Sequence, residues 1–270
     1  MNKASALAPL CDCLYLNVME FKRALVTGAS AGIGRATARA LASHGLDLIL
    51  LARRRDRLET LKKEIEAEYG NKVFVVPTDI RVWSDVKAGL DALGSELSKV
   101  DVLVNNAGLA RGTDKIQASN IEDFNEMIDT NVKALLSLSR HILPIFLENN
   151  RGHVVNLGSV AGRWVYPGGA VYCASKFAVR AISEGMRMDL LGTPVRVTNI
   201  EPGMVETEFT EVRTRGVGNP NAIYKGLTPL QASDIADCVV WSLSRPAHVN
   251  IQELVIFPTD QAAVGQVHRR

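Results

Sequence analysis

The chain has 270 residues, which is long enough for one large α/β domain with a substantial core. Its 22% charged residues are ordinary for a globular protein, and its formal net charge of +2 gives no reason to expect a nucleic-acid partner. Pro9 and Asp12 interrupt the apolar stretches of the first twenty residues, so neither a signal peptide nor a membrane-spanning segment is expected. We expect residues 1–20 to be a disordered extension and residues 21–270 to form a single domain.

The four cysteines are not spaced as zinc ligands. Cys11 and Cys13 are separated by one residue and have no second pair to complete a site. Cys173 and Cys238 are isolated in the sequence and are expected to be packing residues. Scattered cysteines in a chain of this length suit a reducing compartment, so we expect a cytoplasmic location and no bound metal.

From Lys22 onward, short apolar runs alternate with longer amphipathic stretches. In chain order, the pattern predicts a strand at 24–27, a helix at 33–44, a strand at 48–51, a helix at 54–69, a strand at 73–76, a helix at 83–97, a strand at 100–104, a helix at 121–148, a strand at 153–157, a helix at 170–190, a strand at 195–200, a helix at 233–243 and a strand at 253–257. Repeated strand–helix units with continuously apolar strands form parallel sheets that are covered by helices on both faces. The sequence therefore predicts an α/β fold with a doubly wound parallel sheet of about seven strands.

A glycine-rich segment, Thr27-Gly28-Ala29-Ser30-Ala31-Gly32-Ile33-Gly34, lies between the first predicted strand and the first predicted helix. Glycine permits a tight turn and a close backbone approach, and the free N–H groups at a helix N-terminus bind phosphate. In the first strand–helix unit, this combination indicates the dinucleotide site of a Rossmann fold. The residues expected to bind the cofactor here are Gly28, Ser30, Ala31, Gly32, Ile33 and Gly34.

The end of the second predicted strand indicates which nicotinamide dinucleotide binds. An acid at this point would accept hydrogen bonds from a ribose 2′-hydroxyl and would repel a 2′-phosphate. The sequence instead reads Ala52-Arg53-Arg54-Arg55. Guanidinium groups bind phosphate through several donors, and cations at a helix N-terminus oppose the helix dipole, which makes a purely solvated role for them unfavourable. We therefore expect NADP rather than NAD, with Arg53 and Arg54 contacting its 2′-phosphate.

Tyr172 and Lys176 lie one turn apart on the helix predicted at 170–190, so both side chains point to the same face. A nearby ammonium group favours the phenolate and would lower the pKa of the tyrosine. Alone, such a pair is more often a solvated surface contact. Together with the glycine-rich segment, it indicates an acid/base group beside a nicotinamide.

The motifs quoted above, together with Asn105-Asn106-Ala107-Gly108, Asn131, Ser159 and Pro202-Gly203, occur in an order that resembles the short-chain dehydrogenase/reductases. The resemblance covers about residues 22–257. It implies that Tyr172 is the general acid/base, that Ser159 binds the substrate oxygen, and that Lys176 holds the nicotinamide ribose and lowers the pKa of Tyr172. It also implies that Asn131 holds a water that relays protons. The further cofactor contacts it implies, besides Tyr172 and Lys176, are Asp79, Ile80, Asn106, Ala107, Gly108, Pro202, Gly203, Val205 and Thr207.

The C-terminal third is similar to one subgroup of this family, the NADP-dependent 3-hydroxy acid dehydrogenases that oxidise serine and allo-threonine. The similar segments are Glu206-Thr207-Glu208-Phe209, Val212-Arg213, Leu227-Thr228-Pro229, Pro246–Ile251 and His268-Arg269. The resemblance implies hydride transfer between NADP and the β-hydroxyl of a small hydroxy acid. An anionic substrate needs a cation near the catalytic centre, and Arg163 and Arg213 are the two candidates, each equally compatible with a surface or interface salt bridge.

Three alternatives remain open at the level of sequence. One is an NADPH-dependent reductase of other small carbonyls, such as ketones, diketones or pterin-like compounds. Another is a catalytically silent NADP-binding regulator, which the intact catalytic residues argue against. A third is a structural homo-oligomer. The family resemblance implies a homotetramer or homodimer, and the apolar segment 254–257 with the following residues 259–267 is compatible with packing between subunits.

Overall fold

The computed structural model describes residues 20–270. The predicted N-terminal extension lies outside the described residues except for Glu20, and so do Cys11 and Cys13. Cys173 is buried and Cys238 is partly buried, and both are free thiols, which agrees with their predicted role in packing.

Seven parallel strands form the main sheet. In chain order they are β1 Arg23–Thr27, β2 Asp47–Ala52, β3 Val73–Pro77, β4 Val102–Asn105, β5 Gly152–Leu157, β6 Val195–Pro202 and β7 Glu253–Ile256. Their spatial order is β3-β2-β1-β4-β5-β6-β7, and every adjacent pair is parallel. The strand order therefore reverses between β1 and β4, and ligands of open α/β sheets bind at the carboxyl edge at such a point. The predicted fold class is confirmed.

Helices cover both faces of this sheet. They are α1 Gly32–Ser43, α2 Arg55–Tyr69, α3 Trp83–Asp91, α4 Ile121–Ile128, α5 Ala134–Glu148, α6 Ala170–Asp189, α7 Phe209–Thr214 and α8 Ala232–Leu243. One core cluster joins the sheet to α1, α2 and α8, and a second joins the opposite face to α3, α5 and α6. The central strands are buried on both faces, so β1, β2 and β4 are mostly apolar, whereas β5 and β6 also contain buried polar residues such as His153, Asn156 and Glu201.

Two predicted helices are interrupted. The helix predicted at 83–97 ends at Asp91, and Gly94 then adopts a left-handed conformation (φ +54°) at the start of a 3₁₀ turn, Gly94–Lys99. The helix predicted at 121–148 contains a π-helical turn at Asp129–Lys133, between α4 and α5. Insertions of this kind are rare and often lie at functional sites, and this one contains Asn131.

The sequence patterns did not predict three small elements near the C-terminus. α7 has only six residues, which is too short to show a helical period. β8 (Gln261–Ala263) and β9 (Gln266–Val267) form an antiparallel hairpin of five strand residues. This hairpin lies beside the predicted cofactor segment, because the Gln261 side chain accepts a hydrogen bond from the Met204 N–H (2.8 Å).

Candidate active site

The glycine-rich segment forms a cradle into which side chains would not fit. Gly28 has a left-handed conformation (φ +66°), and a Cβ there would lie 2.7 Å from the Asn106 amide nitrogen. A Cβ on Gly34 would lie 2.4 Å from the same nitrogen and 2.5 Å from the Gly28 carbonyl oxygen. Ala31, which caps α1, provides no side-chain acceptor for the helix N–H groups. The cradle therefore fits a pyrophosphate that accepts hydrogen bonds from this helix N-terminus.

The loop after β4 is tied to β1 by hydrogen bonds. Thr27 Oγ1 accepts from the Asn106 N–H (3.0 Å) and the Ala107 N–H (2.9 Å) and donates to the Val104 carbonyl (3.2 Å). The Asn106 amide donates to the Thr27 carbonyl (2.8 Å). Asn106, Ala107 and Gly108 thereby form one wall of the cleft beside the glycine-rich segment, as their predicted contact with the cofactor requires.

The arginines after β2 lie at the side of this cleft. Arg54 donates from Nε and Nη2 to the Ser30 hydroxyl (3.2 and 3.1 Å), so its guanidinium group is adjacent to the glycine-rich segment. Arg53 is exposed, and its positive charge contributes to lowering the pKa of Asp79 and of Glu126, after larger contributions from Arg81 and Arg111 respectively. Arg54 thus brings a guanidinium group to Ser30, where it could bind a 2′-phosphate, and the contact of Arg53 with that phosphate stays a prediction.

Asp79 and Ile80 follow β3 on the same edge of the sheet. The Asp79 carboxylate accepts hydrogen bonds from the Arg81 guanidinium group, the shortest at 2.6 Å, and this interaction lowers the pKa of Asp79. The side chain of Ile80 packs against the second core cluster. Their contact with adenine stays a prediction.

The segment after β6 crosses the open side of the cleft. A Cβ on Gly203 would lie 2.5 Å from the Gln261 side-chain oxygen, so this position has no room for a side chain. Val205 forms a parallel bridge with Leu230, and its carbonyl accepts from the Tyr224 hydroxyl (2.8 Å). Thr207 lies over Gly32, where an added Cβ would approach it to 3.3 Å. Pro202, which ends β6, starts this segment, so its four predicted cofactor residues lie along the cleft.

Ser159 and Tyr172 meet at the centre of the site. Ser159 caps a 3₁₀ turn, Val160–Gly162, and its hydroxyl oxygen accepts from the Ala161 N–H (3.1 Å). A Cβ on Gly162 would lie 2.7 Å from the Lys176 carbonyl oxygen, so the turn packs directly on α6. The Ser159 side chain lies near the Tyr172 hydroxyl, because its hydrogen-bonding influence offsets part of the rise in the Tyr172 pKa that burial causes. Two hydroxyl-bearing side chains are therefore neighbours here, and both are groups that could donate to a substrate oxygen.

Lys176 and Asn131 extend this centre inward. The Lys176 ammonium group donates to the Leu157 carbonyl (2.7 Å) and lies 5.9 Å from the centroid of the Tyr172 ring. The Asn131 amide group accepts from the Leu109 N–H (2.9 Å) and donates to the Leu109 carbonyl (2.8 Å) and to the Ser175 hydroxyl (2.9 Å). The Asn131 side chain thus joins the π-helical turn to the loop after β4 and to α6. Its role in a proton relay stays a prediction.

The pKa of Tyr172 differs from the sequence-based expectation. Burial raises it above its ordinary value, the nearby Tyr166 raises it further, and the hydrogen bond to Ser159 and the charge of Arg213 lower it only in part. Burial also lowers the pKa of Lys176 to about 8. The protein groups alone therefore raise the pKa of Tyr172, whereas the sequence predicts that Lys176 lowers it. They keep the phenol protonated, which is the form that donates a proton to a carbonyl oxygen.

The two candidate anion-binding arginines have different surroundings. Arg163 pairs with the carboxylates of Glu201, which is fully buried, and Glu253, so its guanidinium group fixes the Ser159 turn to β6 and β7. Arg213 donates to the Gly112 carbonyl (2.8 Å), the Tyr166 hydroxyl (3.0 Å) and the Gly168 carbonyl (3.4 Å). None of these three acceptors carries a charge. Within residues 20–270 Arg213 forms no ion pair, so it brings an uncompensated positive charge close to Tyr172, and Arg163 does not.

Two aromatic residues of the site were missed at the level of sequence. Tyr166 binds Arg213 through its hydroxyl group, and the guanidinium carbon lies 5.5 Å from the centroid of its ring. Phe209, on α7, packs against Tyr172 with 5.7 Å between ring centroids. Tyr166 lies outside the recognised motifs. Phe209 ends the similar segment Glu206-Thr207-Glu208-Phe209, which was the one available signal, but no spacing rule connects either residue with Tyr172.

Residues 20–270 lack two other features. No helix in this range is long and apolar enough to cross a membrane. In the same part of the chain, no group of three or more His, Cys, Asp or Glu side chains is arranged to hold a metal ion.

Comparison with known proteins identifies relatives of nearly full length. Sulfoacetaldehyde reductase 2 of Chromohalobacter salexigens is 45% identical over 240 residues, which cover 88% of this chain and 94% of the relative. The NADP-dependent 3-hydroxy acid dehydrogenase of Schizosaccharomyces pombe is 39% identical over 254 residues, which cover 93% and 98%. The closed form of a serine dehydrogenase complexed with NADP⁺ superposes with a TM-score of 0.85 at 41% identity and covers 92% of this chain and all of that one.

The sequence model of the short chain dehydrogenase family matches residues 22–217, and these residues contain every predicted catalytic side chain. The fold, the sheet order and the relatives agree with that match. The chain belongs to the short chain dehydrogenase family and is an oxidoreductase that acts on CH–OH groups.

Proposed function

We propose that this protein transfers a hydride between NADP(H) and the β-hydroxyl or carbonyl group of a small substrate that carries an acidic group, a 3-hydroxy acid such as serine or allo-threonine. The observation that carries the substrate class is the positive charge of Arg213 near Tyr172, where its guanidinium group has only neutral acceptors among residues 20–270. Relatives named for 3-hydroxy acids and for sulfoacetaldehyde support it. In both substrate classes, one carbon separates the reacting carbon from the acidic group.

When bound, NADP supplies or accepts the hydride at its nicotinamide ring. The pyrophosphate cradle at Gly28–Gly34 and the group formed by Ser30, Arg53 and Arg54 support the choice of NADP. The family resemblance implies that Lys176 contacts the nicotinamide ribose. These residues bind and orient the dinucleotide along the carboxyl edge of the sheet.

The side chains of this protein handle the substrate proton. Ser159 donates a hydrogen bond to the substrate oxygen, where negative charge develops during reduction. The protonated Tyr172 phenol donates its proton to that oxygen, and in the oxidation direction the phenolate accepts it. Arg213 binds the carboxylate or sulfonate and so fixes the distance between the acidic group and the reacting carbon.

The test is turnover with NADP and NAD against serine, allo-threonine, 3-hydroxypropionate and 3-hydroxyisobutyrate, with sulfoacetaldehyde and neutral ketones offered in the reduction direction. We expect anionic substrates with NADP to give the highest kcat/KM. Tyr172→Phe should lose at least about 10²-fold in kcat while it still binds NADP, and Tyr69→Phe, at the far end of α2, should match the parent enzyme.

Each alternative function predicts a different result in these turnover measurements. Preference for neutral ketones or diketones would favour a general carbonyl reductase. NADP binding without turnover of any substrate would favour a regulatory protein. Full activity of Tyr172→Phe would contradict the proposed mechanism itself.

We further propose that the protein is a cytoplasmic homotetramer, or otherwise a homodimer. The free thiols of Cys173 and Cys238 support the location. Large apolar side chains are exposed on α5, α6, α8 and β7, and the best examples are Leu136, Phe177, Met188, Trp241 and Val255. Such surfaces usually mark contacts between proteins. Light scattering should give four or two times the chain mass of 29.3 kDa, and a monomer would contradict the proposal.

A further inference from the structure

One carboxylate connects the two sides of the proposed cofactor cleft. Glu208, which caps α7, accepts from Arg54 Nη1 at 2.9 Å and from Arg57 Nη1 at 2.6 Å. The arginines precede Glu208 by 154 and 151 residues and lie at the start of α2. We call these contacts the Glu208 bridge. They join the segment after β6 to the side of the cleft that binds the adenosine half of the dinucleotide.

The bridge uses donors that a 2′-phosphate would also need. Every guanidinium nitrogen of Arg54 is engaged, because Nε and Nη2 donate to Ser30 Oγ while Nη1 donates to Glu208. Carboxylate and phosphate are both oxyanions that accept from the same guanidinium fork. A phosphate that accepts hydrogen bonds from the Arg54 guanidinium group therefore has to displace the Glu208 carboxylate or lie close to its negative charge.

The segment that carries Glu208 also lies over the pyrophosphate cradle. Thr207 contacts Gly32, where an added Cβ would be 3.3 Å from its side chain. Thr207 Oγ1 accepts from the Phe209 N–H (3.2 Å), and Phe209 packs on Tyr172. The Glu208 bridge is thus positioned between the 2′-phosphate end and the catalytic end of the cleft.

We propose that Glu208 is a specificity-determining residue that weakens the binding of phosphorylated relative to unphosphorylated dinucleotides, because its carboxylate competes with the 2′-phosphate for Arg54. This inference rests on the proposed use of NADP. The cost falls on NADP and NADPH alike, since both carry the 2′-phosphate, and it favours release of the product dinucleotide. NAD carries a 2′-hydroxyl group at this position and is not affected.

The test measures the equilibrium binding of four nucleotides in the absence of substrate. Protein fluorescence or calorimetry monitors the binding. The probes are NADP, NAD, adenosine 2′,5′-bisphosphate and adenosine 5′-monophosphate, and the proteins are the parent, Glu208→Gln and Glu206→Gln. Glu206 is the matched control, because it is a carboxylate of the same segment whose side chain contacts Gln231 (3.3 Å) and not an arginine. Melting temperatures without nucleotide establish that each variant is folded.

We expect Glu208→Gln to bind NADP and adenosine 2′,5′-bisphosphate about 10-fold more tightly, a change of the size expected when one charged hydrogen-bonding competitor is removed. Its affinity for NAD and adenosine 5′-monophosphate should match that of the parent, and Glu206→Gln should match the parent for all four. An unchanged or weaker affinity for the two 2′-phosphates would overturn the inference. Equal tightening of all four nucleotides would overturn it too, because that result indicates easier access to the cleft rather than competition.

The parent protein separates this outcome from failure of the proposed function. If the parent binds NAD as tightly as NADP, the cofactor assignment is wrong. If the parent prefers NADP but Glu208→Gln shows no gain for the 2′-phosphates, the assignment stands and only the role of Glu208 is wrong.

Discussion

Lys176 is an ammonium group held in the interior, with 6% of its surface exposed. Its hydrogen bond to the Leu157 carbonyl offsets part of the cost of burial, and the pKa still falls from 10.5 to about 8. A lysine whose pKa is lowered by folding makes the folded state less stable wherever the group is charged. The catalytic centre is therefore held in place at the expense of stability at neutral pH.

The loss of stability caused by the buried charge of Lys176 can be tested by measuring stability as a function of pH. As pH rises from about 8 to 10.5, the unfolded state binds more protons at this position than the folded state, so the free energy of unfolding should gain up to about 3 kcal/mol from Lys176. Lys176→Met should lack this gain. Chemical denaturation of both proteins between pH 7 and 10 measures it. Parallel stability profiles for parent and variant would show that Lys176 is not buried as a charge.

Arg53 provides the second test at this scale. Arg53→Asp should lower kcat/KM with NADP by roughly 100-fold and change the value with NAD little, because it places an acid where we propose that the 2′-phosphate binds. Arg55→Asp is the matched control, since Arg55 is also exposed and is the first residue of α2. An unchanged preference for NADP in Arg53→Asp would count against the cofactor assignment.

Motifs of fixed spacing made most of these residues predictable. A helix turn brings Tyr172 and Lys176 together, and a strand end brings Arg53 to the cleft, so both follow from local sequence. The pairing of Arg163 with Glu201 and Glu253 joins residues 38 and 90 positions apart, and no local pattern reports it. The upward shift in the Tyr172 pKa was equally hard to predict, because it depends on burial in the fold and on the electrostatic effect of the nearby Tyr166.

At the scale of elements, the site depends on where regular structure is interrupted. The π-helical turn at Asp129–Lys133 brings Asn131 into contact with Leu109 and Ser175. The helix predicted at 121–148 has the correct ends, but this turn divides it into α4 and α5. Strand ends and helix starts were predicted within a few residues because apolar runs mark them. The short α7 and the β8–β9 hairpin were missed because tertiary contacts, not periodicity, stabilise them.

The close packing of the turn between β1 and α1 can be tested by adding a single methyl group. Gly34→Ala places a Cβ 2.4 Å from the Asn106 amide nitrogen, so we expect a loss of about 1–3 kcal/mol in the free energy of unfolding and weaker binding of NADP. Gly185→Ala, within α6, has no heavy atom within 4 Å of its added Cβ and should keep or slightly raise stability. Equal behaviour of the two variants in denaturant titrations would contradict the close packing of the cradle.

At the scale of the whole molecule, the alternation of the seven parallel strands with their covering helices was predictable, because parallel strands need crossover connections that are usually helices. The order of the strands places the glycine-rich segment, the loop after β4 and the Ser159 turn on one edge of the sheet. The surroundings of Tyr172 depend on segments far apart in the chain, and the approach of Arg213 to Tyr172 is an example. Sequence alone left Arg163 and Arg213 equivalent, and their acceptors separate them.

The most direct test of the central claim compares 3-hydroxypropionate with its neutral methyl ester as substrates for NADP-dependent oxidation. We expect the parent to favour the acid by at least about 10-fold in kcat/KM, and Arg213→Gln to lose roughly 100-fold with the acid but little with the ester, since a charge-assisted contact contributes about 1.5–3 kcal/mol. Equal turnover of acid and ester by the parent, or an Arg213→Gln variant that keeps the preference for the acid, would contradict the account.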